Sequence, residues 1–214
     1  MARGATLLHA VAAITAWAAL ALQLILLVGN FADEGRPAAA AIWRFVGFFT
    51  ILANFLVAIV SSVAVLASDH ALASARIRFA ALITILLVGI TYSLALRHVW
   101  SPEGWGAVAD HMLHDAVPLL YLLAWLAAPH GALGRRDALW ALVPGVAYFA
   151  YAVIRGAFDG WYAYYFLDLP ALGVTRFLVN AVVILLGVLL ISLLFLWIDK
   201  LLARRTLLPL PGLH

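Results

Sequence analysis

Apolar residues run along this chain in long blocks broken by short polar stretches, and the block lengths carry the first reading. A hydrocarbon core about 30 Å thick needs about 20 apolar residues as helix. Six blocks predict such helices: Thr6–Gly29, Ile42–Ala67, Phe79–Arg97, His111–Ala128, Ala138–Ile154 and Leu172–Ile198. The segments between them are "NFADEGRP", "ASDHALASARIR", "RHVWSPEGWGAVAD", "APHGALGRRD" and "RGAFDGWYAYYFLDLP", all rich in turn formers or charge. The first block exceeds the roughly 7–15 residues of a signal-peptide core and lacks a clear small-residue cleavage site, so it reads as a retained helix. No loop has the length of a second domain, and no clear internal repeat supports an inverted-repeat transporter. The expected fold is all-α: a polytopic membrane protein whose residues 1–214 form one bundle of six transmembrane helices.

Composition agrees. Hydrophobic residues make up 67% of the chain and charged residues 11%, against about half and about a quarter in soluble domains. The mean hydropathy is +1.08. There is no cysteine, which removes disulfides, thiol catalysis and thiolate-held metals. The net charge is +3, and the basic residues sit at the ends of apolar blocks, as interfacial anchors do; nucleic-acid binding is not indicated. The preponderance of Arg over Lys and the abundance of Ala fit a GC-rich bacterial genome.

Charge also sets an orientation. Arg3, Arg76, Arg78, Arg135, Arg136, Lys200, Arg204 and Arg205 fall on the side of the two termini. Arg36, Arg44, Arg97, Arg155 and Arg176 fall on the other, with most of the acids. The excess predicts cytoplasmic termini in a bacterial cytoplasmic membrane. Trp100, Trp105 and Trp161 then form an aromatic belt on the opposite side.

Against this background "VADHMLHDAVPLLYLLAW" stands out, because ionisable groups in a span are functional candidates. On a helix, Asp110–His114 and His111–Asp115 are i,i+4 pairs able to orient an imidazole. The bland alternative is a polar helix start, with Asp110 as N-cap. Arg97 and His98 end the third block and either cap it or face the same pocket. His9, His70, His130 and His214 read as surface residues. His-x-x-His could contribute to a metal site, yet an i,i+3 pair is only half of one and no second such motif occurs. For nucleophilic catalysis no Gly-x-Ser-x-Gly is present. The second block does carry Thr50 and, one turn on, Asn54. In a continuous second helix Thr50 lies roughly 12 Å from the start, in the same membrane half as His114. Its hydroxyl could equally bond its own helix carbonyl.

Three segments read together, "WRFVGFFTILAN", "DHMLHDAVP" and "GWYAYYFLDL", resemble the androgen-induced-gene and androgen-dependent TFPI-regulating-protein family of six-span membrane proteins. Its motifs are a basic-aromatic approach to a Thr in the second span, His-x-x-His opening the fourth, and a Tyr-Pro-Phe-Leu-acid segment before the last. Here Tyr165 stands in place of the Pro, and Trp43 is spaced further from Thr50 than in the animal proteins. The characterised animal members are threonine hydrolases of fatty acid esters of hydroxy fatty acids. The resemblance therefore implies Thr50 as nucleophile and His114 as its base, with no cofactor or metal. Asp110 would orient His114, and His111 would support it. Arg44, Asn54, Tyr92 and His111 are candidate oxyanion donors, and Arg44 could instead meet a substrate carboxylate. The expected partners are a lipid ester substrate and membrane lipids. A non-catalytic lipid-binding or sensory protein and a metal-dependent hydrolase remain the alternatives.

Overall fold

The computed structural model describes residues 3–207 and is helical throughout, with no strand among the described residues. His214 and the Arg205 side chain, both used in the sequence reading, lie outside what is described. Helix α1 spans Arg3–Asp33, α2 Ala38–Phe45, α3 Phe49–Leu66 and α4 Ala75–Thr91. Then come α5, Gly104–His111; α6, Val117–Leu126; α7, Arg135–Trp140; α8, Val143–Asp159; and α9, Leu169–Leu207. Five helical stretches are long and apolar enough to cross a bilayer: Arg3–Asp33, Phe49–Leu66, Ala75–Leu96, Arg135–Asp159 and Leu169–Arg204. The chain is thus built for a membrane. The fourth predicted block falls outside these five because Asp110, His111, His114 and Asp115 interrupt its apolar character.

Helices α1, α3, α4 and α6 form the central core, with α1 and α4 each packed against both α3 and α6. Small residues make this possible. Ala5, Ala12, Ala13, Ala16 and Ala19 are all buried along α1, facing a partner that carries Ala53, Ala58 and Ala64. Small side chains let helix backbones approach closely where lipid supplies no hydrophobic drive between helices. A second, smaller core joins α8, the loop after it and α9 through Tyr148, Ala152, Tyr164, Leu167 and Phe177. Most of α9 stays uncovered, with Val179, Val183, Leu186 and Leu190 exposed, as suits a lipid-facing helix. Gly173 takes φ 71°, ψ 160° and bends α9 in its first turns. That left-handed φ is open to glycine at no steric cost.

Three features depart from the sequence reading. First, the second block is not one helix. The chain breaks at residues 46–48, between α2 and α3. The freed carbonyls of Val46 and Gly47 accept hydrogen bonds from the Tyr151 hydroxyl at 3.2 Å and the Tyr148 hydroxyl at 2.9 Å. Gly47 has no space for a side chain, because Arg155 and Trp161 lie where its Cβ would project. Second, the helix bearing the His pair begins at Gly104, not at the histidines. His114 sits in a π-helical turn, Met112–Ala116, between α5 and α6. A matching π turn, Tyr92–Leu96, ends α4.

Third, His9 and His130 are not surface residues. His9 is fully buried, with Nδ1 3.3 Å from Ser61 Oγ and its ring edge-on to Tyr121. The His130 side chain is buried against Asp199, 3.1 Å away.

Candidate active site

The break before α3 places Thr50 in the first turn of that helix instead of deep within one. Backbone N–H groups there have no intrahelical acceptor. The Thr50 N–H donates instead to the Tyr164 hydroxyl at 3.3 Å. The same end carries the positive pole of the helix dipole, which favours negative charge forming nearby. Thr50 is 8% exposed, so its hydroxyl sits almost out of solvent.

Two polar atoms reach that hydroxyl. His114 Nε2 is 3.3 Å from Thr50 Oγ1, and the Tyr164 hydroxyl is 3.4 Å from it. On the far side of the imidazole, Nδ1 lies 3.1 Å from Asp110 Oδ1 and 2.9 Å from the Asp110 carbonyl oxygen. Both are acceptors, so the proton belongs on Nδ1 and Nε2 is left with its lone pair toward Thr50. Asp110 is buried and is held in turn by the Tyr92 hydroxyl, which donates to Oδ2. The Tyr92 ring stacks on His114, with centroids 4.0 Å apart and planes 12° from parallel.

A chain of contacts therefore runs Tyr92–Asp110–His114–Thr50. Its first and third members belong to the two π turns. Such turns insert one residue into a helix and are frequent at functional sites, because they re-aim side chains.

The remaining sequence candidates are placed elsewhere. His111 does not support His114: it is an exposed residue that bonds Asp115 at 2.8 Å, and Asp115 also pairs with Arg97. Its side chain is 64% exposed, against 12% for that of His114. Asn54 is not aimed at an oxyanion. Its amide donates to the Thr50 carbonyl at 2.8 Å and to the Leu113 carbonyl at 3.3 Å, which ties α3 to the π turn of His114. Arg44 lies over the Trp161 ring, 4.1 Å from its centroid, beside an Arg155–Asp159 pair. Tyr92 is spent on Asp110.

The residue that sequence reasoning passed over is Tyr164, buried beside Thr50. Its signal was its position in the third motif, directly before Tyr165. Burial pushes its phenol above the ordinary tyrosine value, so it stays a hydrogen-bond donor.

Among the described residues no group of three or more His, Asp or Glu side chains is arranged to hold a metal ion. The two histidines of the motif face different carboxylates on different sides of their helix.

Two apolar spaces lie beside the pair, one lined by Thr50 and the other by His114. Thr50 lines a partly enclosed cavity of about 50 Å³, walled by Phe49, Tyr148, Tyr164, Leu167 and Ile184. His114 lines a wide open groove between α4 and α6, flanked by Ile90, Leu94, Leu119 and Leu122. Gly89 permits the close approach under this groove, since a Cβ there would lie 3.2 Å from the His114 carbonyl oxygen.

The arrangement is a buried hydroxyl beside an imidazole whose far edge is held by a carboxylate. Comparison with protein-family models, with curated proteins and with solved structures finds no match to the chain.

Proposed function

We propose that this protein is a membrane hydrolase of lipid esters, with Thr50 as nucleophile and His114 as general base. The observation that carries the reading is the 3.3 Å approach of Thr50 Oγ1 to a His114 Nε2 whose Nδ1 edge is fixed by Asp110. Hydroxyl nucleophiles are weak until a positioned base takes their proton, and the base needs a third group to orient it.

The steps balance on residues of this chain. His114 Nε2 accepts the Thr50 proton as Oγ1 bonds to the ester carbonyl carbon. The tetrahedral oxyanion draws on the Tyr164 hydroxyl and on the positive end of α3. The bond from carbon to the alcohol oxygen then breaks, and His114 returns its proton to that oxygen. Water next gives a proton to His114 and its oxygen to the acyl carbon. Thr50 leaves with the proton, and the acid is released. The Asp110 carboxylate steadies the imidazolium formed in each half-reaction.

In this reading Gly104–Leu126 is a sixth span, and the two termini face the cytoplasm of a bacterial cell. The motif resemblance makes the chain a relative of the six-span threonine hydrolases, and fatty acid esters of hydroxy fatty acids are the first substrates to try. A fluorophosphonate probe is expected to label the wild type on Thr50 and to leave Thr50→Ala unlabelled. Equal labelling of Thr50→Ala would remove Thr50 as nucleophile.

A further inference from the structure

We infer that the preferred substrate is an ester of a short acyl group with a long-chain alcohol, which the two spaces at the Thr50–His114 pair hold apart. The inference rests on the hydrolase reading and narrows its substrate. In the first half-reaction the acyl group becomes bonded to Thr50 Oγ1, while the departing alcohol oxygen must take a proton from His114 Nε2. The acyl part therefore lies on the Thr50 side and the alcohol part on the His114 side. Those sides differ in kind.

Thr50 lines the partly enclosed cavity of about 50 Å³, bounded by α4 and its π turn, α8, α9 and the Tyr164–Leu167 loop. The space is small, and a short acyl chain is enough to fill its enclosed part. A fatty acyl chain overfills it. His114 faces the α4–α6 groove, which is open along its length and walled by Leu86, Ile90, Leu94, Leu119 and Leu122. In a bilayer that groove faces lipid, and its aliphatic walls match an alkyl chain lying along them. Alcohol length is thus nearly free and acyl length is not. A compact acyl group on a lipid alcohol departs from the long-acyl esters that the motif resemblance implies.

Two isomers separate the sides without changing partition into the membrane: hexadecyl butyrate and butyl palmitate. The full chain in liposomes is expected to hydrolyse hexadecyl butyrate at least tenfold faster, by kcat/KM. Ile184 lines the cavity from α9, so Ile184→Ala should raise the palmitate-to-butyrate ratio at least threefold. Leu87, which lines the same cavity from α4, offers Leu87→Ala as the test if Ile184→Ala does not fold. Leu119→Trp, in the groove, should slow hexadecyl butyrate more than octyl butyrate. Equal rates for the two isomers, or faster butyl palmitate, overturn the inference while leaving the hydrolase reading intact. So does fluorophosphonate labelling of Thr50 with neither isomer cleaved. Absence of both labelling and hydrolysis removes the hydrolase reading, and the inference with it.

Discussion

The Thr50 hydroxyl oxygen stands 3.3 Å from His114 Nε2, across 64 positions of sequence. If this contact performs proton transfer, Thr50→Ala and His114→Ala should each lower kcat by at least about 100-fold, the range of general acid–base catalysis. Thr50→Ser keeps the hydroxyl and should retain measurable turnover. Ester hydrolysis in liposomes checks all three, and full activity of His114→Ala would sink the assigned base.

Asp110 and Tyr92 act through His114, so their effects should be graded. Asp110→Asn keeps the shape but weakens the hold on the Nδ1 proton. It should cost more in kcat than Tyr92→Phe, which removes only the bond to Asp110. Both should move the acidic limb of the kcat–pH profile while leaving KM nearly unchanged. A pure loss of fold would instead reduce the amount of active protein without moving the profile.

His111 offers the opposite test. Its side chain is 64% exposed and pairs with Asp115, outside the Thr50–His114 contact. His111→Ala should therefore change kcat by less than about threefold, since exposed pairs contribute roughly 0–1 kcal/mol. A loss comparable to that of His114→Ala would return both histidines to one site.

Tyr164 should contribute to kcat as an oxyanion donor. Tyr164→Phe is expected to lower it by about 10²-fold, with a smaller effect on KM. Because burial raises the Tyr164 value, its phenol is still protonated at the ordinary tyrosine value near 10. The alkaline limb of the wild-type rate should thus not turn down from this group until pH exceeds about 10. An earlier fall that Tyr164→Phe abolishes would contradict its protonated role.

The break before α3 can be tested through Gly47. A methyl group there meets Arg155 and Trp161, so Gly47→Ala must shift one of them. Overpacking of this kind costs about 1–3 kcal/mol. Thermal unfolding in detergent should show a lowered midpoint. Activity should fall further than stability, because the same break sets the position of Thr50.

Helix order in the sequence put Thr50 and His114 in the same membrane half, and the motif resemblance alone implied that they pair; the structure brings them within 3.3 Å. The apolar blocks were legible, since bilayer thickness fixes their length. The break between α2 and α3 was not. Its causes are the hydroxyls of Tyr148 and Tyr151 and the bulk of Arg155 and Trp161, all about a hundred positions away. The π turns were hidden as well, because one inserted residue leaves no mark on composition or periodicity. His9 was misread for a related reason. A lone histidine near a helix start looks interfacial until Ser61 and Tyr121 are seen to enclose it.

Thr50 stands where the two packed clusters meet, and they are unequally built. Half of the most apolar stretch of α3 is buried within the protein, against 22% of that of α7–α8 and 22% of that of α9. The helices on either side of the Tyr164 loop therefore leave most of their apolar length uncovered by protein. In the proposed hydrolase, lateral pressure from the bilayer would hold these helices against the site, and a detergent micelle that relaxes it should lower ester hydrolysis while every helix remains intact.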